Sequence, residues 1–243
     1  MTAANPHYIL FDCDRLRHLN TGLFHYCMQL GNALLNNFDP AQEHITIYVR
    51  KNRAKYLKSN DFIFQKGLDK FIFPNVNKYS IWHCNYQNSL YHARDKRLRK
   101  VFTIHDLNFL HGPGSENEKI NVRVQKLKRI INKYDHLVFI SEFVKNDALK
   151  YVEIGNKPYS VIYNGCNFLK TDMLLESSIK VKAPFLFTIG EIHHKKNFHV
   201  LTRLLPDNNF YLVIAGFPHE DYVAKILKEA ERLKVANRVI ITG

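Results

Sequence analysis

The sequence predicts an α/β fold in which parallel strands alternate with covering helices. Short apolar runs of strand length are separated by stretches whose apolar residues recur every three or four positions. This alternation occurs once over residues 8–163 and again over residues 184–242. Strands that alternate with helices form parallel sheets, and ligands of such folds bind at the carboxyl ends of the strands.

The first series contains most of the predicted elements. Apolar or β-branched runs predict strands at 8–11, 45–49, 101–104, 137–140 and 160–163, with weaker candidates at 70–73 and 81–83. Helices are predicted at 23–36, 115–133 and 141–151, where apolar residues share a face or a capping residue opens the helix. The residues that end the strands or open the turns after them are Asp12, Gly22, His105, Asp106, Ser141, Asn164, Gly190 and Gly216.

The second series opens with the stretch PFLFTIGEIHHKKN at 184–197. An apolar strand stops at Gly190, and Lys195, Lys196 and Asn197 open a predicted helix at 197–204. Unpaired N–H groups at a helix start, the helix dipole and two ammonium groups all attract anions. The stretch therefore predicts a phosphate or diphosphate site. An ordinary turn with two solvated lysines would have the same sequence pattern. Strands at 211–215 and 239–242 flank a helix at 221–233.

We predict two domains of unequal size. A Rossmann-like N-terminal domain spans 1–165, a linker with few patterned apolar residues spans 166–183, and 184–243 begins a second Rossmann-like domain. Two domains of the usual size need about 300 residues or more, so we expect the second domain to be incomplete. A parallel sheet cut short has a bare edge, which predicts poor solubility or a partner that covers it.

Composition indicates a folded protein with an anionic partner. The 243 residues carry a formal charge of +13, and 46% of them are hydrophobic. The sequence shows neither a run of the ~20 apolar residues that a membrane span needs nor a signal peptide, so we expect a cytoplasmic location. Four separated cysteines predict mostly buried thiols rather than disulfides or a zinc site. A phosphate-bearing substrate, an anionic membrane surface or nucleic acid would suit the charge.

Four stretches of the chain together resemble a known family. TIHDL at 103–107, VFISEFVKNDAL at 138–149, VIYNGCN at 161–167 and the stretch at 184–197 come in the order and rough spacing of bacterial glycosyltransferases of family four. That family contains retaining enzymes of the GT-B fold, many of which build O-antigen and capsule.

The resemblance implies two Rossmann-like domains that face a cleft. The N-terminal domain would bind a lipid-linked or polysaccharide acceptor, and the C-terminal domain a nucleotide diphosphate sugar as donor substrate. Transfer of a hexosyl group with retention of anomeric configuration is expected, with no metal and no other cofactor. The basic N-terminal surface is expected against the inner face of the plasma membrane.

The resemblance also assigns roles to residues of this chain. His105 resembles the strand-end histidine near the transferred sugar, where it would donate a hydrogen bond, and Asp106 lies beside it; we take both as catalytic. The residues taken for donor diphosphate binding are Gly22, Gly190, Lys195, Lys196 and Asn197. Polar residues near aromatic side chains or strand ends suit contacts with a sugar. The residues taken for acceptor or sugar contacts are His83, Asn85, Ser141, Glu142 and Asn164.

Two departures keep alternatives open. Relatives often have arginine where this chain has Glu191, and the family's motif of two glutamates would come after residue 243. A catalytically incompetent remnant, or one half of a split enzyme that acts as a binding module, is therefore a second hypothesis. A nucleic-acid-binding protein is a third, motivated by the charge alone and without a recognised motif.

Two stretches contain residue types that can bind a metal. Asp12–Cys13–Asp14 has the D-x-D pattern of metal-dependent transferases, but it ends the first strand and the later motifs fit GT-B better. His193 and His194 lack nearby partners in the sequence, which favours an exposed loop pair over a metal site.

Overall fold

The computed structural model describes residues 6–19, 21–111, 118–166, 181 and 183–243. The chain divides into two compact units, Met1–Asn167 and Phe168–Gly243. Each unit has its own parallel sheet, which confirms the predicted α/β class. The predicted boundaries at 165 and 184 stay a prediction, because most of the linker at 166–183 lies outside the described residues.

The larger unit contains a seven-stranded parallel sheet of order β3-β2-β1-β4-β5-β6-β7. Its strands are β1 (His7–Asp12), β2 (Glu43–Val49), β3 (Phe62–Phe64), β4 (Ile81–Cys84), β5 (Arg99–Ile104), β6 (His136–Phe139) and β7 (Tyr159–Val161). The order reverses between β1 and β4, and in such sheets a crevice opens outside the carboxyl ends of the strands at that point. Asp12 and Asn85 lie at these two strand ends.

Helices cover the two faces of this sheet. Helix α1 (Gly22–Asn37) packs on one face through Phe24, Cys27 and Gly31. Helices α2 (Glu118–Ile131) and α3 (Glu142–Tyr151) pack on the other face. The thiols of Cys13, Cys27 and Cys84 are buried as predicted, whereas Cys166 is exposed.

One predicted strand is wrong and one real strand was missed, although both contain the tripeptide Phe-Ile-Phe. Residues 62–64 form β3 at the sheet edge, whereas residues 71–73 follow a 3₁₀ turn at Gly67–Lys70. The carboxylate of Asp69 closes that turn, because it accepts hydrogen bonds from Lys66 N and from the Tyr48 hydroxyl, both at 2.8 Å. Long-range pairing rather than local propensity therefore decides between the two copies.

The smaller unit contains three parallel strands in the order β10-β9-β8. These are β8 (Phe185–Ile189), β9 (Tyr211–Ala215) and β10 (Val239–Thr242), and helix α4 (Glu220–Arg232) connects β9 to β10. Residues on α4 and in the 193–205 region bury one face of this sheet. The predicted helix at 197–204 is a 3₁₀ segment, Phe198–Leu204, preceded by a second one at His194–Lys196.

None of the helices in the described ranges combines the length and the apolar character that crossing a membrane requires.

Candidate functional site

His105 lies just beyond the carboxyl end of β5, where the sequence predicted a catalytic residue. Its side chain is 6% exposed. The ring Nε2 lies 2.8 Å from the carbonyl oxygen of Asn85, which follows the neighbouring strand β4. The ring of Tyr26 on α1 meets it edge-on, with 4.5 Å between ring centroids. Three separate elements therefore fix the position of this imidazole.

The environment of His105 also determines which nitrogen carries its proton. Burial lowers the pKa of His105, and the hydrogen bond to Asn85 and the Asp106 carboxylate offset this only in part. The ring is then neutral at pH 7. A carbonyl oxygen only accepts, so Nε2 holds the single proton and Nδ1 holds a lone pair. Neutral His105 can thus accept a hydrogen bond from a sugar hydroxyl at Nδ1, whereas the sequence suggested a donor.

Gln87 fixes the backbone around this histidine. Its Oε1 accepts a hydrogen bond from His105 N at 3.1 Å, and its Nε2 donates to the carbonyl of Asp106 at 3.0 Å. The carboxylate of half-buried Asp106 accepts from Asn108 N at 3.1 Å. Buried Asn85 in turn lies with its Nδ2 3.2 Å from the Cys27 sulfur. These contacts hold the strand ends of β4 and β5 to one another and to α1.

A cavity of about 530 Å³ lies beside this centre in the larger unit. One wall comes from α1 with Gly22, Tyr26 and Leu30, and the other from the segment after β7 with Tyr163 and Asn164. The structure therefore brings together Gly22 and Asn164, which are far apart in sequence. Tyr26 lines the cavity and touches His105, so it connects the cavity to the histidine.

Three other predicted contact residues have partners elsewhere in the larger unit. His83 lies within β4, with its Nε2 2.9 Å from the Thr103 hydroxyl, and burial lowers its pKa to about 4. Ser141 is the N-cap of α3, because its hydroxyl accepts from Val144 N at 3.2 Å. Glu142 forms an ion pair with Lys145. Their roles with a sugar stay predictions.

In the smaller unit, the turns after β8 and β9 are in direct backbone contact. Gly190 has a φ of +151° and Gly216 a φ of +134°, both in the region that favours glycine. A Cβ on Gly216 would lie 2.0 Å from the carbonyl oxygen of Gly190. The side chain of Lys196 folds back over Gly190, since a Cβ there would lie 3.6 Å from its Cε and 4.0 Å from its Nζ. The Lys196 ammonium thus lies over the carboxyl end of β8.

The backbone argument for an anion site in this turn is wrong. Lys196 N donates to His193 O at 2.8 Å, and Asn197 N donates to His194 O at 3.3 Å. Lys195 N lies 3.4 Å from His193 Nδ1. Asn197 is left-handed with a φ of +53°, so the segment breaks there and no long helix points its dipole at the turn. The exposed ammonium groups of Lys195 and Lys196 are the groups of this turn that could still attract an anion, and their binding of a diphosphate stays a prediction.

Carboxylates lie beside the two loop histidines, which the sequence did not show. His194 Nε2 lies 2.9 Å from Asp221, and the ring of His193 meets that of His219 at 4.8 Å. His219 Nε2 lies 2.8 Å from Glu191, and this hydrogen bond lowers the pKa of Glu191. Within the described ranges, no three His, Cys, Asp or Glu side chains are grouped so that they could hold a metal ion.

The D-x-D pattern at Asp12–Cys13–Asp14 is occupied by other contacts. Asp12 is fully buried, and its Oδ1 accepts from Asp14 N at 2.8 Å. Asp14 forms ion pairs with Arg15 at 2.9 Å and with Arg17 at 3.6 Å. Among the residues that the structure describes, neither carboxylate is grouped with further acidic ligands, which a divalent cation would need.

Sequence reasoning missed two residues of the site. Tyr26 and Arg15 reach it from the start of α1 and from the turn after β1, where no pattern singles them out. Tyr86 and Gln87 follow Asn85 and belong to the aromatic and amide residues after β4 whose composition suits contacts with a sugar. His219 also belongs to the smaller unit's turn, and its contact with Glu191 spans 28 residues.

Comparisons with known proteins agree with this architecture. Over 143 residues the chain is 24% identical to the O-antigen chain mannosyltransferase RfbU of Salmonella typhimurium, a match that covers 58% of this chain and 38% of that protein. The crystal structure of a glycosyltransferase from Rickettsia africae superposes with a TM-score of 0.59 at 16% identity, over 98% of this chain and 68% of the other. The lipopolysaccharide outer core galactosyltransferase WaaB in its apo form gives 0.56 at 17% identity, over 96% and 67%.

The chain thus spans about two thirds of the two solved structures and 38% of RfbU. The structural matches confirm the GT-B type of fold that the motifs predicted. The family model of Glycosyltransferase Family 4 matches residues 26–168, which is more than half of the chain. The protein is therefore a member of glycosyltransferase family 4.

Proposed function

We propose that this protein transfers a hexosyl group from a nucleotide diphosphate sugar to a lipid-linked or polysaccharide acceptor, with retention of anomeric configuration. The observation that carries the proposal is the Lys196 side chain, whose ammonium lies over the Gly190 turn at the carboxyl end of β8. Similarity to RfbU, a mannosyltransferase of the O-antigen chain, supports the class of acceptor.

The donor diphosphate would bind at Gly190, Lys195, Lys196 and Asn197. Breaking the bond between sugar and phosphate builds negative charge on the leaving diphosphate, and an ammonium group fixed there lowers the barrier. Losing one such group typically costs ~3 kcal/mol of transition-state stabilisation, which is roughly a hundredfold in rate. In family four the leaving phosphate is usually held to take the proton of the acceptor hydroxyl, so a strong protein base is not needed.

In the larger unit, neutral His105 would orient the transferred sugar by accepting a hydroxyl hydrogen bond at Nδ1. The cavity between α1 and the segment after β7 has room for a sugar ring, and Tyr26, Tyr163 and Asn164 supply the stacking and hydrogen-bonding groups. Gly22 would let the backbone at the start of α1 approach the donor, since the described residues leave the space beside its Cα open.

Turnover of the purified chain tests the proposal. UDP-, GDP- and ADP-sugars are offered with membrane lipid acceptors to the wild-type chain, to Lys196→Ala and to Lys228→Ala, an exposed lysine on α4 that serves as control. We expect transfer that falls roughly a hundredfold in Lys196→Ala only. Equal loss in both variants, or none in either, would remove the assigned role of Lys196.

A second candidate is a binding module that needs a partner chain for turnover. The exposed apolar face of β8, where Phe185 is 51% and Ile189 71% exposed, favours this reading. Binding of a nucleotide diphosphate that depends on Lys196, without transfer by the isolated chain, would be its signature.

A further inference from the structure

Three arginines lie near one another at the carboxyl ends of β1 and β2, and all three act electrostatically on His18. Arg15 and Arg17 belong to the turn that follows β1, and Arg50 follows β2 directly. The two strands pair in parallel, with Asp12 opposite Tyr48, and Cys13 N donates to Tyr48 O at 2.8 Å. We call Arg15, Arg17 and Arg50 the arginine cluster.

The arginine cluster carries more positive charge than its partners neutralise. Asp14 is the carboxylate that Arg15 and Arg17 share, at 2.9 and 3.6 Å. Arg15 is 6% exposed, and among the residues that the structure describes no group accepts a hydrogen bond from its Nε. Burial and then the charges of Arg15 and Arg17 lower the pKa of the adjacent His18, to which Arg50 also contributes. Oδ1 of Asp14 is likewise buried without a hydrogen-bond partner among the described residues. This region therefore holds three guanidinium groups, one carboxylate and an unused buried donor, and such a donor is costly when it stays unpaired.

The position of the cluster relates it to the proposed reaction centre. The guanidinium of Arg15 stacks on the Tyr86 ring, with Cζ 4.2 Å from the centroid, and that ring lies 6.4 Å from the ring of His105. Arg50 is the member of the cluster farthest from His105, because it follows β2, which is three strands away from β5 in the sheet order. With strands ~4.8 Å apart, the cluster extends to roughly 14 Å from His105.

That separation favours one of two phosphate sources. The leaving phosphate of a donor is bonded to the carbon that reacts and must lie within a few ångströms of the sugar that His105 contacts. A phosphate that is one or two sugar rings from an acceptor hydroxyl lies farther away. Guanidinium groups bind phosphate through paired, charge-assisted hydrogen bonds.

We propose that the arginine cluster binds a phosphate or diphosphate group of the acceptor and thereby orients the acceptor sugar toward His105. The assignment of the bound phosphate to the acceptor rests on the proposed function. The existence of the anion site does not. The ligand class is a sugar attached to a polyprenyl diphosphate or to another phosphorylated carrier. The site lies entirely in the larger unit and uses neither Lys195 nor Lys196.

Binding of farnesyl diphosphate tests the inference, because this soluble probe has a prenyl diphosphate and no nucleoside. Calorimetry on the full chain compares wild type with Arg17→Gln/Arg50→Gln, which spares buried Arg15, and with Lys126→Gln/Arg129→Gln, exposed residues of α2 that match the charge change. We expect at least ~10-fold weaker binding in the cluster variant only. UDP and GDP binding should be unchanged in both double variants and should weaken in Lys196→Ala.

Each remaining outcome is decisive. Absence of farnesyl diphosphate binding by wild type, or equal weakening in both double variants, would overturn the site. Weakening of UDP and GDP together with farnesyl diphosphate in the cluster variant would assign the arginines to the donor and overturn the acceptor role. If Lys196→Ala binds UDP and GDP as tightly as wild type does, the proposed donor site is contradicted. The comparison of farnesyl diphosphate binding would still test the arginine cluster.

Discussion

At the scale of single residues, Asp12 is an acid buried where the strand order of the larger sheet reverses. Its Oδ2 lies 3.3 Å from the Ser89 hydroxyl and its Oδ1 accepts from Asp14 N. Burial first, and the Asp14 carboxylate second, raise the pKa of Asp12 from 3.8 to about 7. The folded chain therefore keeps this proton over a range of pH in which the unfolded chain has released it.

Asp12 makes stability depend on pH with a defined sign. Between pH 3.8 and about 7 the folded state binds more protons than the unfolded state, so the free energy of unfolding falls as pH rises, by up to ~1.4 kcal/mol per unit. In Asp12→Asn the group cannot titrate, and its amide oxygen still accepts from Asp14 N. We expect the stability of this variant relative to wild type to increase from pH 5 to pH 8.

Urea denaturation of both proteins at several pH values measures that difference. Asp207→Asn, at an exposed position, is the control for the change of charge. The histidines whose pKa burial lowers, such as His83 and His92, titrate equally in both proteins and cancel in the comparison. A relative stability that stays constant or decreases across this range would contradict a raised pKa at Asp12.

Glu191 and His219 form a pair next to the proposed diphosphate site. The hydrogen bond from His219 lowers the pKa of Glu191, which keeps the carboxylate ionised close to Lys195. We expect His219→Gln to weaken nucleotide diphosphate binding several-fold, because the carboxylate then competes with the ligand for the lysines. Removing the charge as well, in Glu191→Gln/His219→Gln, should restore the affinity.

A double-mutant cycle on UDP and GDP affinity measures this coupling. Additive effects of the two substitutions would mean that His219 and Glu191 act independently. A gain in affinity from His219→Gln alone would show that the carboxylate does not oppose the ligand.

The residues also show how far the sequence could predict the site. His105 was picked out because a β-branched run ends there, and Lys196 because it follows a glycine turn, whereas their roles were implied by the resemblance to family four. The proton on His105 Nε2 was beyond sequence reasoning, since it depends on the carbonyl of Asn85, 20 residues away. The occupied N–H groups of 195–197 depend on the 3₁₀ turn at His194–Lys196, which no apolar pattern reveals.

At the scale of elements, the sequence likewise predicts strands whose residue types suit a sheet but not those that depend on contacts distant in sequence. Strands with several β-branched residues, such as β2 and β5, were predicted because burial on a sheet selects those residues. The two copies of Phe-Ile-Phe could not be separated, because pairing of 62–64 with β2 and the closing role of Asp69 are both contacts at a distance.

Gly22, at the first position of α1, and Gly216, directly after β9, have different reasons to be glycine. Gly216→Ala would place a Cβ 2.0 Å from the Gly190 carbonyl at a φ of +134°, so we expect a loss of at least ~2 kcal/mol in stability. Gly22→Ala meets no described atom within 4 Å and should leave stability unchanged or slightly raised, since alanine favours helix.

Thermal unfolding and nucleotide binding of both variants check this contrast. If the backbone at Gly22 contacts the donor, we expect Gly22→Ala to be as stable as wild type and to bind nucleotide more weakly. Unchanged affinity would remove Gly22 from the proposed diphosphate site. A Gly216→Ala protein as stable as wild type would show that the two turns can separate without cost.

At the scale of the whole molecule, the smaller sheet is covered on one face only within the described residues. Phe185, Phe187 and Ile189 of β8 are 51%, 56% and 71% exposed and share a face, because alternate residues of a strand point the same way. Parallel sheets are ordinarily buried on both faces. Apolar surface of this kind favours association.

We therefore expect the purified chain to self-associate as its concentration rises, and Phe187→Lys to weaken that association. A lysine in the middle of the exposed row adds charge where a second apolar surface would dock, and the position tolerates it because it is open to solvent. Phe71→Lys is the control, since Phe71 is 61% exposed in a turn of the larger unit. Sedimentation velocity over a concentration series distinguishes the variants. A chain that stays monomeric throughout, or one that associates equally in all three forms, would show that this face does not drive assembly.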